Sequence, residues 1–265
     1  MVRVAITGAT GRMGRTLVQL VHQAEDLTLA GATDRPDSPL LGQDIGHLCG
    51  LGETGILLLD SLEALTDIDI VIDFTLPAAT ETHLRICRDK GFGLVIGTTG
   101  LSEAQKAAVT EAASHIPLVF APNMSVGVTV LTQLVEQAAR ILGDDYDVEI
   151  VEMHHRHKVD APSGTALALG EAAARGLERN LQECAVYGRE GAEGPRRQET
   201  IGFATLRGGD VVGDHTVIYA ADGERIEIGH KASSRMTFAR GALRAARWLH
   251  SRPADLYTMR DVLGI

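Results

Sequence analysis

Between Glu152 and Ala166 the chain reads EMHHRHKVDAPSGTA, which puts His154, His155, Arg156, His157 and Lys158 at five consecutive positions. Three chemistries compete for such a run: a metal centre, a solvated basic loop, or a trap for an anion that also moves protons. Adjacent His154 and His155 leave a strand on opposite faces, so His155 and His157 alone would share one. Zinc asks for three or four protein ligands, and no second His or Cys cluster supplies them, so no metal is expected. A basic loop accounts for the charges but not for the helix start that follows. The anion reading uses both. Pro162-Ser163-Gly164-Thr165 leads into a helix with Ser163 as N-cap, and Gly164 permits close backbone approach to a carboxylate at the helix N-terminus. Lys158 and His155 add charge-assisted hydrogen bonds, and a histidine that titrates near neutrality can transfer a proton. Asp160 fits an orienting carboxylate, a turn residue or plain solubility.

A second constellation lies at the N-terminus, where Gly8-Ala9-Thr10-Gly11-Arg12-Met13-Gly14 follows an apolar run and opens a helical one. Gly8 permits the tight turn, Gly11 lets backbone approach a pyrophosphate, and Gly14 lets helix and strand pack closely. The spacing is GxxGxxG rather than GxGxxG, so the strand-to-helix context carries the reading. Asp34, twenty positions past Gly14, ends the next strand where a carboxylate accepts from ribose hydroxyls, which favours NAD; Arg35 beside it suits a 2′-phosphate and keeps NADP open. Gly97-Thr98-Thr99-Gly100 and Ala121-Pro122-Asn123-Met124 each follow a further strand and are candidate nicotinamide contacts or ordinary turns.

The elements that position these groups alternate. Strands are expected at Val2–Thr7, Leu27–Asp34, Ile56–Leu59, Ile70–Phe74, Leu94–Gly97 and Leu118–Ala121, with helices at Arg12–Ala24, Ala78–Lys90 and Ser102–Ser114, the last capped by Ser102. That order gives an α/β fold, a Rossmann-like doubly wound parallel sheet. Beyond Gly127 the pattern changes to a helix (Val128–Leu142), a strand (Asp147–His154), a helix (Thr165–Leu177) and strands at Thr200–Leu206, His215–Ala220 and Arg225–Gly229, a smaller α+β domain. Gly188–Gln198 is expected to be a mobile loop, and a last helix, Thr237–His250, to return to the first domain.

Composition sets bounds on function. A formal net charge of −10 opposes nonspecific nucleic-acid binding, which rests on Lys and Arg neutralising phosphates. Cys49, Cys87 and Cys184 lack CxxC spacing, so a disulfide framework is not expected and a reducing compartment fits. No apolar run reaches membrane-spanning or signal length, and a cytoplasmic location is expected.

Together, GATGRMG (Gly8–Gly14), DFT (Asp73–Thr75), GTTG (Gly97–Gly100), APNMSVG (Ala121–Gly127), EMHHRHKVDAPSGTA and HKASSRMTFARGA (His230–Ala242) make the whole chain resemble the dihydrodipicolinate reductases, also called 4-hydroxy-tetrahydrodipicolinate reductases, of lysine and diaminopimelate biosynthesis. The resemblance implies a dinucleotide-binding domain of residues 1–125 and 236–265 and a substrate-binding and tetramerisation domain of residues 126–235, closing about hinges near Ser125–Gly127 and Ser234–Thr237. It implies reduction of a cyclic dicarboxylic imine by NADH or NADPH with loss of water, in a homotetramer. By position, His154 matches the proton donor/acceptor and Lys158 the proton donor, while His155, Gly164 and Thr165 match carboxylate-binding positions. Gly8–Met13, Asp34, Gly97–Thr99 and Ala121–Met124 match cofactor-binding positions, with Arg35 contacting the phosphate of NADP. A short-chain dehydrogenase would need Tyr-x-x-x-Lys, which none of Tyr146, Tyr187, Tyr219 or Tyr257 begins. A redox-sensing module that binds NAD(P) without turnover is the rival from another class, and there His154 and Lys158 would be dispensable.

Overall fold

The computed structural model describes residues 1–192 and 194–265 and divides into two units, Met1–Val126 with Met236–Ile265, and Gly127–Arg235. In the first unit, strands β1 (Val2–Thr7), β2 (Leu27–Thr33), β3 (Leu58–Leu59), β4 (Ile70–Asp73), β5 (Gly93–Ile96) and β6 (Pro117–Phe120) alternate with helices α1 (Arg12–His22), α2 (Ile45–Cys49), α3 (Pro77–Lys90) and α4 (Glu103–Ala113). The second unit carries α5 (Val126–Leu142), which starts at the boundary, then β7 (Asp147–His154), α6 (Gly164–Gly176), α7 (Leu181–Cys184), β8 (Ala185–Val186), β9 (Ile201–Arg207), β10 (Gly213–Ala221) and β11 (Glu224–Ala232). The chain then re-enters the first unit as α8 (Met236–Leu249), β12 (Asp255–Tyr257) and α9 (Met259–Leu263).

The first unit's sheet has the order β12-β6-β5-β4-β1-β2-β3, and every pairing is parallel. Its strands are apolar on both faces because both are covered. Leu17, Val18 and Val21 of α1 pack with Ala242, Leu243 and Ala246 of α8 on one side, and Leu84, Cys87, Val109 and Ala112 of α3 and α4 cover the other. Chain order reverses between β1 and β4, so the crevice that binds ligands in open parallel sheets opens at their carboxyl ends. Ser102 caps α4 as expected, in a full capping box with Gln105; the short α2, not expected from the sequence, is capped by Asp44, which accepts from the amides of Gly46 and His47.

The second unit's sheet, β11-β10-β7-β9-β8, is mixed: β7 is antiparallel to β10 and parallel to β9. Its core joins Leu131 and Val135 of α5, Leu169 and Ala173 of α6, and Val148, Ile150, Phe203, Val217 and Tyr219 of the sheet. Gly170 is required where α6 crosses the sheet, since a Cβ there would lie 2.5 Å from the Phe203 ring. Tyr219 is fully buried and its hydroxyl donates to the Val135 carbonyl at 2.7 Å. Within the Gly188–Gln198 loop, Glu193 lies outside the described residues. On either side of it Arg189 and Arg196 pair with Glu149 of β7 at 2.8 and 3.0 Å. Among the described residues no helix is long and apolar enough to cross a membrane.

Candidate active site

The glycine turn lies at the switch point of the first sheet. Gly8 has φ +58°, a conformation that favours glycine, and closes the turn by accepting from the Gly11 amide at 3.0 Å. A Cβ on Gly14 would lie 2.1 Å from the Gly8 carbonyl oxygen, so α1 starts pressed against the turn. Gly11 is the N-cap of α1 and has no side chain to cap it, so no side chain at that position accepts from the first amides, those of Arg12, Met13 and Gly14. Ala9 is buried and its amide donates to Thr33 at 2.9 Å, which sets the turn beside the end of β2. Thr10 donates to the Asp34 carboxylate, and the Arg35 amide donates to its other oxygen at 2.8 Å. The Arg35 side chain pairs with Asp37 at 3.2 Å in solvent.

Parallel pairing brings the remaining predicted loops to the same carboxyl edge. Gly97 packs flat on Phe74, where a Cβ would meet the ring at 2.3 Å; Thr98 is buried and Thr99 exposed. Ala121 and Met124 are buried at the end of β6, while Pro122 is exposed. A Cβ on Gly241 of α8 would come within 1.7 Å of the Met124 carbonyl, and the Asn123 side chain accepts from the Ser125 amide at 2.9 Å.

Beneath these loops lies a group that motif reading did not assign. Asp73, fully buried at the end of β4, accepts from Thr7 at 2.9 Å, from the Thr75 hydroxyl at 2.6 Å and amide at 3.1 Å, and contacts His83 at 3.1 Å. Thr98 accepts from the Thr75 amide at 3.0 Å and the Thr80 hydroxyl at 2.9 Å, which ties the loops after β4 and β5 together. Burial opposes the charge on Asp73, but the His83 ring and the threonine hydroxyls outweigh it and hold the carboxyl below its usual range.

The second constellation is built on β7, whose inward phase runs Val148, Ile150, Glu152, His154. The first two residues join the core; the last two turn that face polar at the end where α6 begins. Register sets Glu152 opposite His215 of β10, His215 opposite His230 of β11, and His154 opposite Arg207 of β9. Arg207 grips Glu152 through both guanidinium nitrogens at 2.8 and 2.9 Å, and His154 Nδ1 stands 2.6 Å from the same carboxylate. The His154 and His215 rings meet edge to face, 5.1 Å between centroids.

Burial opposes the charge on Glu152, yet Arg207, His154 and the Ser163 amide hold its carboxyl below the usual range. For His154, burial outweighs Glu152 and depresses protonation, with Lys158 and Arg207 acting in the same direction. His215 is pushed down to about 4, first by burial and then by His154.

Beyond β7, Lys158 Nζ lies 2.7 Å from Asp160, whose carboxyl its ammonium lowers against the opposing effect of burial. His155 donates its backbone amide to Val211 at 2.7 Å, and its ring faces His157 with 6.2 Å between centroids. Ser163 caps α6 by accepting from the Ala166 amide at 3.1 Å, and its hydroxyl meets His215 Nε2 at 2.9 Å. Gly164, next in line, has open space where a Cβ would stand. Glu152, Arg207 and His215 join His154 here without having been singled out from sequence. Glu152 alone left a local sign, a carboxylate on the apolar phase of a strand.

A parallel sheet with a glycine turn at its switch point, and a mixed-sheet unit bearing a buried histidine beside an ammonium group and a helix start, define a nicotinamide-nucleotide oxidoreductase. Family models described as the N-terminus and C-terminus of dihydrodipicolinate reductase match residues 2–124 and 127–263. The chain belongs to the dihydrodipicolinate reductase family. It is 57% identical over 264 residues to a 4-hydroxy-tetrahydrodipicolinate reductase of Acinetobacter baumannii, covering 99% of this chain and 96% of that protein. Among solved structures it is similar to dipicolinate-bound dihydrodipicolinate reductase from Paenisporosarcina sp. TG-14, with TM-score 0.77, 25% identity and 97% of each chain covered. The amine dehydrogenase of Mycobacterium smegmatis shares the fold at TM-score 0.58 and 15% identity, with 97% of this chain and 95% of that one covered.

Proposed function

We infer that the second unit's histidine, lysine and helix start carry the family reaction, reduction of 4-hydroxy-tetrahydrodipicolinate to tetrahydrodipicolinate with loss of water. The observation that carries the reading is His154, buried to 8% exposure, with Nδ1 held by Glu152 and Lys158 four positions on. The nicotinamide supplies the hydride when bound. Loss of the hydroxyl together with a proton from the adjacent ring carbon, as water, forms the conjugated imine. Hydride arriving at the carbon that bore the hydroxyl leaves electron density across that system, and Lys158 returns a proton to the adjacent ring carbon. His154 gives and takes protons at the same site. Gly164 and Thr165, at the start of α6, and His155 hold the two substrate carboxylates. The first amides of α1 take the pyrophosphate, and Asp34 takes the adenosine ribose. Gly97–Thr99 and Ala121–Met124 line the nicotinamide.

Both NADH and NADPH serve. Asp34 supports NADH, and Arg35, held in solvent by nothing stronger than an exposed pair with Asp37, is available to a 2′-phosphate. The protein works in the cytoplasm as a homotetramer. Exposed Val130, Leu134, Leu206 and Ile226 on the second unit support assembly, and sedimentation equilibrium tests it. For the catalytic assignment the test is His154→Gln and Lys158→Ala. Each is expected to lower kcat by about 10²–10⁴-fold while NADH affinity, read by nucleotide fluorescence, is unchanged. Wild-type turnover in either variant refutes that residue's role.

A further inference from the structure

Glu152 is 2% exposed and takes no part in the reaction as assigned above. A carboxylate on the inward face of a strand is costly unless its oxygens are answered by donors. Here they are. Oε1 accepts from the Ser163 amide at 3.0 Å and Arg207 Nη2 at 2.9 Å; Oε2 accepts from Arg207 Nη1 at 2.8 Å and faces His154 Nδ1 at 2.6 Å. Arg207 is fixed in turn by the Asp160 carbonyl at 2.7 Å and the Leu206 carbonyl at 2.6 Å. A guanidinium and an amide can only donate, so the carboxylate is the acceptor throughout, and the contact to Nδ1 is an N–H donated by His154. The ring proton of neutral His154 then sits on Nδ1, and Nε2 is the nitrogen left to exchange protons. Gly213 stands beside Nε2, where a Cβ would lie 3.0 Å away, so this nitrogen is covered by no side chain from that position.

We propose that Glu152, clamped by Arg207, is the positioning residue of the reaction: it fixes the tautomer and orientation of His154 and ties that ring to Ser163, the cap of the helix that receives a substrate carboxylate. The proposal rests on His154 being the acid–base group. Four elements besides the histidine's own strand bring charge or titratable groups to bear: Arg207 on β9, Lys158 and Asp160 in the loop after β7, His215 on β10, and His230 paired with His215 on β11. Of these and Glu152, the anion in direct contact with the His154 ring is Glu152. Removing its charge while keeping its shape therefore moves the titration of His154 to lower pH.

The test is the pH profile of kcat/KM for Glu152→Gln, Glu152→Asp and His154→Gln beside the parent enzyme. In Glu152→Gln the amide nitrogen faces Nδ1 and donates to it, which drives the proton to Nε2. We expect kcat to fall about 10²–10³-fold, substrate KM to change only severalfold, and the limb on which His154 loses its proton to move about one pH unit or more to the acid side. Glu152→Asp, which keeps the charge, returns the limb toward its original position. A Glu152→Gln enzyme with parental kcat and limb, in an experiment where His154→Gln has lost that limb, overturns the positioning role alone. A limb that survives in His154→Gln overturns the assignment of His154 and the proposal with it. If Glu152→Gln does not fold, ring ¹⁵N shifts of the parent enzyme decide: neutral His154 protonated on Nδ1 supports the proposal, and protonation on Nε2 overturns it.

Discussion

Gly14→Ala tests how the first unit prepares its phosphate site. The added methyl would stand 2.1 Å from the Gly8 carbonyl oxygen and 2.7 Å from Ala9 Cα, backbone atoms with no rotamer to yield. Relief needs a shift of the α1 N-terminus by about 1 Å, since unstrained carbon contacts lie near 3.5 Å. Overpacking of this kind costs about 1–3 kcal/mol, offset by about 1 kcal/mol of helix propensity gained from replacing glycine. The net effect, a loss of up to about 2 kcal/mol, lowers Tm by up to roughly 8 °C for a unit of this size. The same shift misplaces the α1 amides, and loss of one charge-assisted hydrogen bond, about 1.5–3 kcal/mol, weakens NADH binding about 10–100-fold. Gly11→Ala is the control. Its Cβ would be 3.1 Å from the Gly8 oxygen, and its φ of −69° suits any residue. It should keep the parental Tm and still lose affinity, because the methyl occupies the approach of the pyrophosphate. Differential scanning calorimetry and NADH fluorescence titration measure both. A Gly14→Ala protein with parental Tm and affinity refutes the close-packing argument.

Other outcomes follow from single contacts. Arg35→Ala should raise KM for NADPH several-fold and leave KM for NADH unchanged in parallel steady-state assays; equal effects on both would remove Arg35 from phosphate recognition. His215 titrates near 4 when folded and near 6.5 when unfolded, so the unfolded state binds its proton first, and stability contributed by neutral His215 is present above the unfolded value and is lost as pH falls toward 4. Urea denaturation between these pH values should show His215→Gln flattening the slope by up to about 1.4 kcal/mol per pH unit. Asp44 is lowered to about 2: burial opposes its charge, but the amides of Thr54, His47 and Gly55 and the Thr54 hydroxyl outweigh it. Its stabilising effect is complete above about pH 4 and is lost as pH falls toward 2. Asp44→Asn should therefore lower Tm at neutral pH and narrow the gap to the parent protein at pH 2, read by circular dichroism.

Local pattern was enough for much of the fold. β1 and β7 begin and end where periodicity places them, because each alternates or runs apolar up to a clear change: Gly8 after β1, the His-Arg-His run after β7. β12 was missed because it is three residues long and exists through pairing with β6, more than a hundred positions earlier. α2 and α9 are single turns held by their caps, Asp44 and Thr258, rather than by an apolar stripe. In the site, His155, Lys158 and the Ser163 cap lie within one short stretch, where residue type and spacing argue for them, while His154 was singled out by the family resemblance. Arg207 and His215 reach that stretch only through sheet register, which no local spacing encodes. Asp73 stood within a quoted motif, but its partners Thr7 and His83 reach it only across the crossovers of a parallel sheet.

The central claim is hydride transfer to a cyclic imine with a proton supplied by His154 and Lys158. Its most direct measurement is product analysis by NMR after turnover of freshly generated 4-hydroxy-tetrahydrodipicolinate with NADH deuterated at the transferring position. The account predicts deuterium on the carbon that lost hydroxide, an unlabelled proton on its neighbour, and stoichiometric loss of nucleotide absorbance. Dehydrated product without loss of absorbance with either NADH or NADPH would contradict it.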